Sequence, residues 1–133
     1  MAKRLTDEER AARALAERAL ALLRKLITEN NEWACAALVR VYEGQTADEQ
    51  ASGSTREDNG IGFTGFDAPI LTSFAERYLQ WRATPKEARR YASPFTERQY
   101  NCLRRMMGKY ARQCMAIDAC AKAVYAALEH AEG

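Results

Sequence analysis

The chain has 133 residues, a formal net charge of +2, and 47% hydrophobic against 29% charged residues. This is the size of one ordinary domain with apolar content for a core, and the balance excludes a disordered chain. Four cysteines without a C-x-x-C pair, and one histidine, His130, argue against a structural zinc site, which draws on two close ligand pairs.

Met1-Ala2-Lys3-Arg4 leads into acidic residues and not into an apolar run, so no signal peptide is read there. No stretch approaches the roughly 20 apolar residues of a membrane span. A reducing cytoplasm is the expected setting. Thr6 and Glu9 have capping-box spacing. Beyond them Leu15, Ala19, Leu22, Leu23 and Leu26 recur every three or four residues and predict helix 1 over about 6–28. Its alanines, Ala11, Ala12, Ala14, Ala16, Ala19 and Ala21, would let another helix approach closely, in this chain or in a homodimer. Asn31 is the expected cap of helix 2, about 32–43, which buries Ala34, Ala37, Leu38 and Val41 and stops at Gly44.

Periodicity vanishes over 44–67, a connection long enough to be either functional or disordered. Ile61, Phe63 and Phe66 suggest that its second half packs onto the helices and is ordered. Asp67 is the expected cap of helix 3, about 68–81, with Pro69 in the first turn and Leu71, Phe74, Ala75 and Tyr78 inward. Thr84-Pro85-Lys86-Glu87 opens a short helix over about 85–92, ended by Ser93-Pro94. Thr96 and Gln99 repeat the capping box, with Phe95 and Tyr100 as a hydrophobic staple, before a C-terminal helix or helix pair over about 97–129. The expected fold is all-α, a single small domain of about five helices with a long ordered loop between helices 2 and 3.

Gly60-Ile61-Gly62-Phe63-Thr64-Gly65 matches G-x-G-x-x-G but follows Ser52 to Asn59, which is no core strand. A dinucleotide fold is therefore set aside, and the glycines read as a tight turn close to the helices. Glu43, Asp48, Glu49, Glu57, Asp58 and Asp67 surround a single base, Arg56. Their spacing fits no EF-hand; a Mg²⁺-dependent nuclease is the sharpest enzymatic alternative, and solvated carboxylates with helix caps the plainer one. His130 lies in a tail expected to fray, which leaves no Ser/His/Asp or Cys/His set. No cofactor is expected, and no catalytic or metal-ligating residue is assigned.

The sign of the charge then changes. From Glu76 to Arg112 the bases are Arg77, Arg82, Lys86, Arg89, Arg90, Arg98, Arg104, Arg105, Lys109 and Arg112, against Glu76, Glu87 and Glu97. At about 100° per residue Arg98, Arg105, Lys109 and Arg112 fall in one stripe, opposite Leu103, Met107, Tyr110 and Cys114. Such a stripe neutralises phosphates, with Arg89 and Arg90 beside it and Trp81, Tyr91 and Tyr100 as stacking rings. The alternative is an amphipathic helix whose wet face is basic.

Three blocks carry a resemblance: Leu38 to Gln50 with Gln45-Thr46-Ala47-Asp48-Glu49, then Asn59-Gly60-Ile61-Gly62-Phe63 to Asp67-Ala68, then Lys109-Tyr110-Ala111-Arg112-Gln113. Together they resemble a short helical module of bacterial phages and integrative elements, found alone or beside helicase domains. The likeness covers roughly residues 33–113. It leaves the N-terminal helix outside, and Trp81 to Pro94 is longer and more basic than the usual link. What it implies is a mobile-element setting, with DNA handling or host interference as the task and no catalytic residue. Gln45, Thr46, Asp48, Glu49, Asn59 and Asp67 then either fix the loop, aided by Lys109 and Gln113, or contact a partner. Two functions follow: a non-catalytic accessory protein that binds nucleic acid or a nucleoprotein complex, and an anti-CRISPR or anti-defence inhibitor of a host effector.

Overall fold

The computed structural model describes residues 4–52 and 62–132, without the side chains of 48–52. Among them the protein is all-α: α1 (Asp7–Glu29), α2 (Asn31–Ser52), α3 (Ala68–Ala83), α4 (Glu97–Met107), the five-residue α5 (Ala111–Met115) and α6 (Asp118–Glu132). Single 3₁₀ turns stand at Lys86–Ala88 and Gly108–Tyr110. No helix among the described residues is long and apolar enough to cross a membrane.

Helix α1 starts on the capping box, with the Thr6 hydroxyl accepting from Glu9 N–H and the Glu9 carboxylate from Thr6 N–H. It buries Ala19, Leu23 and Ile27, while its first turns, Leu15 included, stand in solvent. Ala11, Ala12, Ala14 and Ala21 are exposed and Ala19 is buried, so the alanines do not share one free face. Asn30, and not Asn31, caps α2: its side-chain oxygen accepts from the N–H groups of Glu32 and Trp33. Asn31 instead accepts from the Arg104 guanidinium, which ties α2 to α4.

Helix α2 runs through Gly44 to Ser52, about nine residues past its expected end. A helix-interior glycine costs about 1 kcal/mol relative to alanine, too little to stop a helix packed on several neighbours. The Thr46 hydroxyl turns back onto Tyr42 C=O, satisfying itself within the helix. The 44–67 connection is shortened accordingly, and 53–61 lies outside the described residues. Ala34, Ala37, Leu38 and Val41 join Leu71, Phe74 and Ala75 of α3, Leu103 and Met107 of α4, and Val124 and Leu128 of α6 in one buried cluster. Helix α2 is central to it, packing on α1, α3, α4 and α5.

The short helix expected over 85–92 is reduced to one 3₁₀ turn. Arg89 folds back there, its Nε–H shared between the carbonyls of Trp81 and Thr84, and so caps the end of α3. The final helix is broken twice. Its first part begins with the Thr96–Gln99 box and with Phe95 edge-on to Tyr100, ring centres 5.3 Å apart. The 3₁₀ turn at Gly108–Tyr110 and the corner at Ala116–Ile117 then redirect the chain, and α6 carries His130 in an ordered last turn.

Gly108 is where α4 closes on α1. A Cβ there would lie 2.7 Å from Cγ2 of Thr28. That methyl is pinned because the Thr28 hydroxyl donates to Arg24 and Lys25 carbonyls. Gly108→Ala is expected to lower stability by about 1–3 kcal/mol through overpacking, despite alanine's better helix propensity. Adding Thr28→Ser, which removes the methyl, restores most of it in urea melts; a Gly108→Ala variant as stable as wild type would sink this account.

Candidate functional site

The best-built polar cluster fixes the end of the loop to two helices. Gly62 N–H donates to Gln113 Oε1 at 2.7 Å, and Gln113 Nε2 returns a bond to Gly62 C=O at 3.0 Å. Phe63 N–H donates to Gln45 Oε1 at 2.9 Å, and Thr64 N–H to the Tyr110 hydroxyl at 3.0 Å. Three successive backbone groups thus meet α2, the 3₁₀ turn and α5. Gly62 is the residue this requires: φ is +91° and a Cβ would stand 2.7 Å from the Gln45 side chain. Phe63 is buried, edge-on to Tyr110 at 5.6 Å.

Asp67 completes the cluster. It stands before α3, yet its side chain makes no cap bond; the Thr64 carbonyl accepts from Asp67 and Ala68 N–H instead. The carboxylate is turned inward, with the residue 2% exposed. Its Oδ2 accepts from the Tyr110 hydroxyl at 2.7 Å and meets Lys109 Nζ at 2.5 Å. Burial pushes its pKa up, but bonds from Lys109, Tyr110 and Thr64 and the Lys109 charge outweigh this and hold it below the ordinary value of 3.8. Lys109 is raised by the hydrogen bond to Asp67, and Tyr110 is raised chiefly by burial.

The expected loop residues therefore divide. Gln45 and Asp67 reach the loop, Thr46 bonds within α2 and to nothing else among the described residues, and the side chains of Asp48 and Glu49 and all of Asn59 lie outside the described residues. Tyr110 is the participant that the apolar-face reading overlooked; its signal was a hydroxyl-bearing ring on a buried stripe, which must find a partner. Phe66 is 96% exposed, against the expectation that it packs onto the helices. Both sides of it, Phe63 and Asp67, are anchored, so the turn between them forces its ring outward.

The basic residues divide as well. Arg98, Arg105 and Arg112 are exposed and make no ion pair among the described residues. Lys109 leaves the stripe for Asp67. Three 3₁₀ residues at about 120° each, in place of 100°, also turn Arg112 by roughly 60° from its place on an unbroken helix. Arg89 is engaged on α3, with its guanidinium 4.0 Å over the Trp81 ring, while Arg90 is exposed beside Tyr91.

A second buried pair was not foreseen. Cys114 and Cys120 lie together across the α5–α6 corner, beside Arg40. The neighbouring Cys114 thiol and the Arg40 charge lower Cys120, against the effect of burial, and Cys114 is raised by Cys120 and by burial. Burial raises Cys35 to about 11. Among the described residues no three of histidine, cysteine, aspartate or glutamate group as a metal site would require.

Comparison with protein-family models, with curated proteins and with solved structures returns no match to this chain.

The lowered Asp67 stabilises the fold above the ordinary carboxyl value of 3.8, and this is lost as pH falls through its folded value. The raised Lys109 and Tyr110 contribute below their ordinary values of 10.5 and 10.0, and lose that as pH rises through their folded ones. Asp67→Asn should cost about 1–3 kcal/mol at neutral pH, with the half-exposed Lys109 adding little. Its stability should also fall less steeply than that of wild type on acidification below pH 4. Parallel acid limbs in denaturant titrations would rule out Asp67 as the titrating group.

Proposed function

We propose that the protein is a non-catalytic accessory protein of a phage-like mobile element, acting in the cytoplasm by binding nucleic acid or a nucleoprotein complex. The observation that carries this reading is the pair Arg98 and Arg105. They stand seven residues apart on one face of a capped helix, about 10 Å along its axis, exposed and without an ion pair among the described residues. Each is free to meet its own phosphate and release its own counterion. Arg112 and Arg90 are exposed as well. Lys109 contributes by holding the loop, so reversing its charge would unfold the lock and is not a clean test.

Fluorescence anisotropy with labelled single- and double-stranded oligonucleotides tests this at low and physiological salt. Affinity is expected to fall steeply with salt, and Arg98→Glu/Arg105→Glu to weaken binding for every sequence alike. Each removed phosphate contact should reduce the salt slope by about one. Wild-type affinity in that double variant would overturn the assignment.

One observation favours a second reading, an anti-CRISPR or anti-defence inhibitor that grips a host effector protein. Phe66 is an exposed aromatic on backbone already fixed at both sides, which is how an anchor side chain is preordered for a protein pocket. On this reading the wild-type chain captures one large protein from nuclease-treated host lysate and Phe66→Ser does not. Equal capture by both chains would exclude Phe66 as the anchor.

A further inference from the structure

Beside the end of α3, the 3₁₀ turn and the irregular segment to Pro94 enclose a groove of about 410 Å³. Three of its walls carry arginine: Arg77, Arg89 and Arg90. Trp81 and Tyr91 supply rings, Gln80, Thr84 and Ser93 supply polar edges, and no carboxylate among the described residues lines it. The neighbouring groove on the other side of Trp81 is of similar size, about 420 Å³, but includes Glu32. The groove along α6 is bordered by Asp118 and Glu129. Only the first of these three is suited throughout to an anion.

Its rings are not equivalent. Trp81 has the Arg89 guanidinium on its ring at 4.0 Å and Tyr78 stacked at 6.4 Å, and its Nε1–H donates to Tyr91 C=O. It is a wall. Tyr91 is 57% exposed; the fold uses its backbone carbonyl, and its ring meets the Arg90 guanidinium but stacks on no other ring among the described residues. Arg77 is held by its Nε–H on Pro94 C=O at 3.0 Å, and its two Nη groups make no hydrogen bond among the described residues. A guanidinium fixed in this way presents its remaining donors with little loss of side-chain freedom. Arg90 lies 5.6 Å from the Tyr91 ring and is exposed.

We propose that this groove takes one unpaired nucleotide of a single strand. The base stacks on Tyr91, the phosphate is met by Arg77 and Arg90, and Gln80 reaches the base edge. A duplex keeps its bases paired and cannot offer one to the ring, so the groove selects single strands, while Arg98 and Arg105 serve either form. The site rests on the nucleic-acid reading and names the form of nucleic acid preferred.

The test uses the whole chain with a short labelled oligothymidylate and a duplex of equal length at one ionic strength. The wild type is expected to hold the single strand more tightly. Tyr91→Ala should weaken the single strand about tenfold, within the range of base–aromatic stacking, and leave the duplex and the melting temperature unchanged. Tyr91→Phe should retain the preference. Equal effects of Tyr91→Ala on both forms, or none on either, overturn the groove while leaving the nucleic-acid reading standing. Binding of neither form, with a host protein captured through Tyr91 instead, overturns both.

Discussion

A buried carboxylate is the constraint around which the molecule is arranged. Asp67 loses nearly all its water, and such a charge persists in a fold only when hydrogen bonds and a counter-charge replace the lost hydration. Tyr110 and Lys109 do so, and both sit on the 3₁₀ turn that interrupts the last long stretch of helix. An unbroken α-helix would rotate this pair differently, so the break is part of the same arrangement. With Asp67 fixed, the end of the loop and the beginning of α3 are fixed, and with them the direction in which α3 leaves the core.

Helix α3 then acts as a strut between two polar constructions. At its start lie the Asp67 cluster and the loop bonds from Gln45 and Gln113. At its end Arg89 covers the free carbonyls, and Trp81 and Arg77 hold the segment up to Pro94 by two side-chain bonds to backbone. The irregular segment is thereby ordered without helix or strand. Its arginines fall into two kinds: those consumed in making the shape, such as Arg89, and those the shape leaves facing water, such as Arg90.

Much of the fold was legible because its signals are local. Thr6 with Glu9 and Thr96 with Gln99 start helices where their spacing says, and the apolar faces of α2 and α3 bury the residues that periodicity selects. Errors arose where a single residue type has two meanings. Gly44 resembles a helix stop but is carried through by packing, and Asn30 and Asn31 are equally good caps until Arg104 claims one. Asp67 is the instructive case, since a carboxylate before a helix ordinarily caps it, and only Tyr110, 43 positions away, makes turning inward the better choice. Long-range pairing of this kind leaves no periodic trace. The site was legible in parts: the resemblance marked Gln45, Lys109 and Gln113 as fixing the loop or contacting a partner, whereas Arg77 required the Pro94 carbonyl to become more than one base among ten.

The bonds from Gly62, Phe63 and Thr64 have a dynamic consequence. Their amide protons lie in no helix, yet each is held by a side chain from elsewhere in the core. Hydrogen exchange at these three positions would therefore proceed not by the rapid fluctuation usual for loops but by a cooperative opening that separates the segment from α2 and α5 together. The loop end and the helix core thus form one unit of local unfolding, and slow exchange at three consecutive non-helical amides is its signature.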